Sequence, residues 1–140
     1  MRDKRTNYTS ETKLEKEVLY SRMVKAGNFV FIGGTTAVDD KGEVRGLGHS
    51  YEQTRFILEK QIAYLKRAGA TRKDVVKVNM YVTPDYDISG DRAFTELFGD
   101  VHPLCTLIVV NGLFRKELLI EIEMTAIIGC NTEEDQVTLL

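Results

Sequence analysis

The chain of 140 residues contains no tryptophan and only two prolines, two histidines and two cysteines. Cys105 and Cys130 lie far apart and outside any CxxC or Cys/His ligand spacing. This spacing predicts neither a disulfide framework nor a zinc site, so we expect two free thiols and no bound metal.

An excess of charge of one sign is also missing, because 19 Lys+Arg stand against 21 Asp+Glu. Without a basic excess to hold a phosphate backbone, no nucleic-acid partner is predicted. The longest apolar runs, such as residues 104–110, are far shorter than the roughly 20 residues of a membrane helix. No apolar signal core follows the charged start, so we expect a cytoplasmic protein without a membrane partner.

The common catalytic motifs are absent, including the glycine-rich nucleotide loops, Gly-x-Ser-x-Gly and His-Glu-x-x-His. No cofactor is expected. A hydrophobic content of 43% is enough for one core, which we place in a domain over residues 18–128. The polar residues 1–17 are predicted to form a flexible arm, and residues 129–140, which include Glu133–Asp135, a flexible acidic tail.

The turn Ala26-Gly27-Asn28 separates two short β-prone runs and predicts a hairpin. Ser50 and Gln53 have the spacing of a capping box, which predicts a helix that ends near Gly69. Strands are predicted over residues 74–83, 105–110 and 118–127 and a second helix over 90–98, with Asp87 or Ser89 as its cap.

The resulting order, β-β-α-β-α-β-β, predicts an α+β fold with two helices packed on one face of a mixed sheet. Strand 74–83 is expected to direct Val76, Val78, Met80 and Val82 toward one face. The other sheet face stays half-exposed with β-branched and apolar side chains, which predicts oligomerisation.

Glu121 and Glu123 share one face of the last strand, opposite Ile120 and Ile122. Two interpretations remain open: a solvated sheet face, or a carboxylate at a subunit seam that activates water or binds a ligand. Cys105 follows His102-Pro103-Leu104, and a packed, inert thiol is favoured over a nucleophile there.

Several linked motifs resemble the RidA/YjgF family in order and near-spacing across residues 18–128. They are the hairpin 24–31, Gln53-Thr54-Arg55, Ala68-Gly69-Ala70, residues 74–78, Phe98-Gly99-Asp100, Pro103 and Glu121-Ile122-Glu123. The resemblance implies a chorismate-mutase-like subunit, a homotrimeric barrel and small-molecule pockets at the subunit interfaces.

In deaminating members of that family, an arginine holds the carboxylate of a 2-imino acid and a glutamate of the Glu-Ile-Glu stretch positions water. The resemblance assigns the glutamate role to Glu121 but puts Cys105 at the arginine position, so Glu121 and Cys105 are the candidate catalytic residues. It also makes Tyr20, Gly33, Asp91, Leu104, Cys105 and Thr106 the expected ligand-binding residues. Such a pocket is expected to be less basic and to take a less anionic substrate, unless Arg22, Lys25 or Arg115 supplies a replacement charge.

Three functions follow from the resemblance. The first is a homotrimer that hydrolyses or deaminates an enamine- or imine-type metabolite through water activated by Glu121, with Cys105 in the pocket. The second is a non-catalytic metabolite-binding or regulatory module. The third, the endoribonuclease activity of the family's older L-PSP label, ranks last because the charge balance offers no phosphate-binding surface.

Overall fold

The computed structural model describes residues 4–131 and 137–140. The predicted acidic segment Glu133–Asp135 therefore lies outside the described residues. The elements in chain order are β1 (Arg5–Tyr8), α1 (Lys13–Val18), β2 (Met23–Ala26), β3 (Phe29–Thr35), α2 (Ser50–Arg67), a 3-10 turn (Arg72–Asp74), β4 (Val75–Val82), α3 (Ser89–Phe98), β5 (Leu104–Val109) and β6 (Ile120–Ile127).

All six strands form one mixed sheet in the order β1-β2-β3-β6-β4-β5. β4 and β5 are parallel, whereas every other neighbouring pair is antiparallel. The hairpin between β2 and β3 turns at Gly27, whose positive φ of 57° suits glycine, so the predicted turn is confirmed.

Helices α2 and α3 cover one face of the sheet, as the alternation predicted. Alternate residues of β6 are buried beneath them: Ile120, Ile122, Met124 and Ala126. Buried residues of α2, such as Leu58 and Leu65, pack into the same core. The intervening β6 residues point to the opposite, half-exposed face, and this division places Glu121 outside the core.

The expected alternation of β4 fails at its first residues. Val75 is buried, whereas Val76 is only partly buried, because the register with β6 shifts between Val75 and Lys77. A bulge there re-aims the start of the strand. From Val78 onward the predicted alternation holds.

The capping box predicted at Ser50 is wrong. His49 is the N-cap residue, without a side-chain capping bond, and Ser50 Oγ accepts instead from the backbone N–H of Asp87. The buried Gln53 amide donates to Glu117 O and accepts from Leu119 N, so it ties α2 to the segment before β6. Both polar side chains serve tertiary contacts that the local spacing does not reveal.

Ordered structure begins before residue 18, in contrast to the flexible arm predicted for residues 1–17. β1 pairs with β2, and α1 begins at a capping box formed by Thr12 and Glu15. A buried carboxylate, and not an apolar stripe, holds this N-terminal segment in place. Glu15 is 2% exposed and accepts hydrogen bonds from Thr9, Ser10 and Thr12.

Among the described residues, none of the helices combines the length and the apolar character that crossing a bilayer requires.

Glu15→Gln is expected to lower the free energy of unfolding by about 2 kcal/mol at neutral pH, because it removes a hydrogen-bonded charge. Burial raises the pKa of Glu15, but the bonds from Ser10 and Thr12 outweigh it and hold the pKa at about 2. The folded pKa thus lies below the ordinary value of 4.5, so this stabilisation is complete above that value and is lost as the pH falls toward about 2.

Urea unfolding of both proteins at neutral and acidic pH measures this effect. Glu17→Gln is the matched control, because Glu17 is an exposed residue of the same helix that pairs with Lys13 at 3.8 Å. The control is expected to change stability by less than about 0.5 kcal/mol. Equal losses in the two variants would contradict the role given to Glu15.

Candidate functional site

A cavity of about 630 Å³ opens beside the end of β3. Its walls come from the loop that leads into α1, from the chain after β3, from α2 and from β6. The polar side chains on these walls include Tyr20, Arg22, Lys60 and Glu121. The described residues contain no group of three or more His, Cys, Asp or Glu arranged to hold a metal ion.

Glu121 is a half-buried carboxylate on the cavity wall. It lies against Gly34, where a Cβ atom would collide with Glu121 Oε2. β3 and β6 lose their regular register between Ile32 and Thr35, and this irregularity sets Gly34 against the carboxylate. The missing side chain at residue 34 therefore creates the space that Glu121 occupies.

Burial raises the pKa of the Glu121 carboxyl; the charge of Arg22 opposes this rise and that of Glu123 adds to it. Within residues 4–131 and 137–140, no donor forms a hydrogen bond to this carboxylate. It is therefore available to bind a ligand or to accept a proton.

Glu123 differs from Glu121 although both project from the same strand face. Its Oε1 accepts hydrogen bonds from Asn79 Nδ2 at 3.0 Å and from Tyr81 Oη at 2.6 Å. These bonds occupy Glu123 in the sheet, and it does not line the cavity. The two carboxylates that the sequence left equivalent are thus distinguished by their partners.

Arg22 lies on the cavity wall between Tyr20 and Gly34. Its Nη1 donates to Gly34 O at 2.7 Å and its Nη2 to Tyr20 Oη at 3.3 Å. The guanidinium also lies 5.6 Å from the centre of the Tyr20 ring and 3.8 Å from Glu15 Oε2. These contacts hold the guanidinium in one position before any ligand arrives.

Lys60 is a second cation of the wall, and the sequence analysis did not single it out. It is half-buried on α2, where its Nζ donates to Val38 O at 3.0 Å and lies 5.7 Å from the Phe56 ring centre. Burial lowers the pKa of its ammonium, and the charge of Arg22 lowers it further. The position of Lys60 next to the buried stripe of α2 was the one sequence signal that could have indicated a partly buried lysine.

Of the three replacement cations considered from the sequence, Arg22 and Arg115 line the cavity and Lys25 does not. Lys25 Nζ donates to Ala68 O at the end of α2. Arg115 Nη1 donates to Gly42 O at 2.8 Å and so joins two loops of the rim.

The expected site residues fall into two groups within one chain. Tyr20 and Glu121 line the cavity, and Gly33 precedes the lining residue Gly34. The other four, Asp91, Leu104, Cys105 and Thr106, do not line it.

Cys105 lies on β5, which is separated from β6 by β4. Its Sγ is 3.6 Å from Met80 Sδ, and burial, with a smaller effect of Asp91, raises the pKa of the thiol. A protonated thiol is a poor nucleophile, although residue 105 is exposed on the edge strand and is not packed in the core. Asp91 itself accepts a hydrogen bond from Tyr86 Oη at 2.6 Å.

The architecture defines the class of the protein: an α+β fold with its helices on one sheet face and the half-buried Glu121 carboxylate on the other. Residues 10–128 match the family described as Endoribonuclease L-PSP, so the chain belongs to this family, also known as RidA/YjgF.

Individual relatives support this assignment. A RutC family protein of Pyrococcus horikoshii is 38% identical over 108 residues, covering 76% of this chain and 85% of the relative. The 3-aminoacrylate deaminase RutC of Acinetobacter baylyi is 30% identical, covering 76% and 85%. The crystal structure of a YjgF/YER057c/UK114 family member from Mycobacterium tuberculosis superimposes with a TM-score of 0.77 at 33% identity, covering 89% of this chain and 100% of that one.

Gly34→Ala is expected to displace the Glu121 carboxylate into the open cavity at little cost in stability, because the colliding atoms end a flexible side chain. With more solvent around it, the Glu121 pKa should fall back toward the ordinary glutamate range. Carbon-detected NMR titration of the carboxyl measures this change. Gly112→Ala is the control, since nothing lies within 4 Å of its added Cβ. An unchanged Glu121 titration in Gly34→Ala would contradict the contact.

Proposed function

We propose that this chain forms a homotrimer whose Glu121 cavity hydrolyses the C–N bond of a small enamine- or imine-type metabolite. The observation that carries the proposal is the half-buried Glu121 carboxylate. It lines the cavity and accepts no hydrogen bond from any donor among the described residues. The name of the Acinetobacter baylyi relative, 3-aminoacrylate deaminase, supports an enamine substrate.

Glu121 suits the role of a general base. Its raised pKa brings the carboxyl nearer to neutral pH, where a base transfers protons efficiently while it remains ionised. Water bound to the carboxylate attacks the imine carbon, and its proton passes to Glu121. Glu121 passes this proton to the nitrogen, which gives a carbinolamine. It then takes the hydroxyl proton of the carbinolamine and delivers it to the nitrogen as the C–N bond breaks, so that a carbonyl product and ammonia leave. An enamine enters the same sequence after a proton moves from its nitrogen to its β-carbon, which converts it into the imine.

Tyr20 is the group best placed to assist. Because its hydroxyl oxygen accepts a hydrogen bond from Arg22, its own O–H can donate into the cavity. Donation to the substrate or to the attacking water would orient the reacting atoms.

The trimer rests on surfaces that a single chain leaves uncovered. β5 is an edge strand whose residues are all exposed, including Ile108 at 44% and Val109 at 64%. On the same open sheet, the exposed rings of Phe29 and Phe31 stack with their centroids 6.0 Å apart. Apolar edges and faces of this kind are stable in water when another subunit covers them.

In such a trimer, we place the second group of expected site residues, Asp91 and 104–106, opposite the Glu121 cavity of a neighbouring subunit. This arrangement would reunite the two groups that one chain keeps apart. The position of Cys105 also favours a second candidate, a metabolite-binding module without turnover, because a thiol cannot replace a fixed positive charge. The endoribonuclease activity named by the family is not part of the proposal, since the net charge is −2.

Glu121→Gln is expected to lower ammonia release from freshly generated 2-iminopropionate or 3-aminoacrylate at least about 100-fold, because the amide cannot accept the proton. The native rate should fall on acidification at a pH above the usual glutamate range, since the pKa of Glu121 is raised.

Glu123→Gln is the matched control for this assay, because an amide oxygen can still accept the bonds from Asn79 and Tyr81. Equal rates in native protein and Glu121→Gln would contradict the proposal. Inactive native protein whose melting temperature rises with an unaltered metabolite would instead support the binding module.

Ile108→Asp is expected to shift the protein from trimer toward monomer, because it places a charge on the exposed apolar edge. Light scattering coupled to size-exclusion chromatography gives the mass. Ile88→Asp is the control, since Ile88 is 81% exposed but lies outside the sheet. A native protein that elutes as a monomer would refute the trimer.

A further inference from the structure

We propose that Arg22 and Lys60 form an anion site that binds the carboxylate of the substrate and directs its reacting carbon toward Glu121. The inference rests on the proposed function and names its substrate class, an enamine or imine that carries a carboxylate. The two cations and Glu121 line one cavity although they lie far apart in the sequence. Arg22 immediately precedes β2, Lys60 lies on α2 and Glu121 lies on β6.

The first argument is that Glu15 leaves Arg22 with donors to spare. Five donors already surround the two Glu15 oxygens: the Thr9 hydroxyl and the backbone N–H and hydroxyl groups of Ser10 and Thr12. A carboxylate has about four lone-pair sites, so its capacity is filled. Arg22 approaches Glu15 only to 3.8 Å, which is an ionic contact and not a hydrogen bond.

Arg22 therefore keeps free N–H groups. A guanidinium has five donors, and within the described residues one donates to Gly34 O and one to Tyr20 Oη. Its orientation is held by these two bonds, so a carboxylate that enters the cavity meets a preformed donor group. Binding then costs little side-chain entropy.

The second argument concerns Lys60. Its ammonium has three donors, of which one is used by Val38 O, and no carboxylate in residues 4–131 or 137–140 forms an ion pair with it. Burial and the nearby charge of Arg22 both disfavour the charged form of Lys60, and the more distant charges of Asp40, Glu15 and Asp39 offset them only in part. An anion between the two cations relieves their repulsion and supplies the missing acceptors.

Other cations of the cavity are occupied at its rim. Lys13 pairs with Glu17 at 3.8 Å, and Arg115 bonds to Gly42 O and approaches Glu117 to 4.0 Å. Lys41, the remaining lining cation, is exposed. Arg22 and Lys60 are thus the partly buried lining cations that remain for a ligand. This assignment reverses the expectation of a less anionic substrate: the positive charge missing at Cys105 is supplied from another part of the fold.

The test uses isothermal titration calorimetry to compare a charged and an uncharged form of one small ligand. Pyruvate carries the carboxylate, and its amide, pyruvamide, is uncharged. We expect native protein to bind pyruvate at least about tenfold more tightly than pyruvamide. Lys60→Met keeps the aliphatic stem and removes the charge, and it should raise the Kd for pyruvate about tenfold while leaving that for pyruvamide unchanged. Lys66→Met, an exposed lysine of the same helix, is the matched control.

Arg22→Lys tests the other member of the pair with the charge retained. It should weaken pyruvate binding because an ammonium cannot reproduce the forked donor geometry. Circular dichroism confirms that each variant is folded. Equal affinities of native protein for pyruvate and pyruvamide, or equal effects of Lys60→Met and Lys66→Met, would overturn the anion site.

Glu121→Gln separates this inference from the proposed function. It should abolish ammonia release yet retain pyruvate binding. If pyruvate binding depends on Lys60 and Arg22 but the native protein releases no ammonia, the anion site stands and the hydrolase fails. If Lys60→Met releases ammonia with the native KM, the anion site fails and the hydrolase stands.

Discussion

The candidate site depends on the placement of the Glu121 carboxylate, which accepts no hydrogen bond from the part of the chain that the structure describes. β6 alternates strictly, so the burial of Ile120 and Ile122 beneath the helices obliges Glu121 to point to the opposite face. Gly34 leaves room for the carboxylate there, and partial burial raises its pKa. The packing of the core and the position of the cavity carboxylate thus depend on the same strand.

A second carboxylate, Glu15, has the opposite environment and a structural effect. Its hydrogen bonds to the loop before α1 hold the N-terminal segment against the sheet, where residues 10–14 form part of the cavity wall. Because these bonds fill its acceptor capacity, Arg22 keeps donors for a ligand. The N-terminal segment and Arg22 are therefore coupled through Glu15.

Local patterns predicted what local physics determines. The alternation of β6 follows from the pleat of a strand. The hairpin at Gly27 and the helix end near Gly69 follow from the left-handed backbone that glycine adopts. The predicted α+β fold with helices on one face is confirmed. Ser50 was misassigned because its hydroxyl serves a distant backbone group. Lys60 and the Glu15 contacts were missed because polar side chains that act through tertiary contacts leave no periodic signature.

The central claim is that the Glu121 cavity, with its paired cations, is the working site of the protein. A crystal structure of the assembled native protein soaked with pyruvate tests it most directly. The account predicts the pyruvate carboxylate between Arg22 and Lys60 and the keto carbon facing Glu121. Pyruvate bound only against Cys105, with the Glu121 cavity filled by protein or solvent, would contradict it.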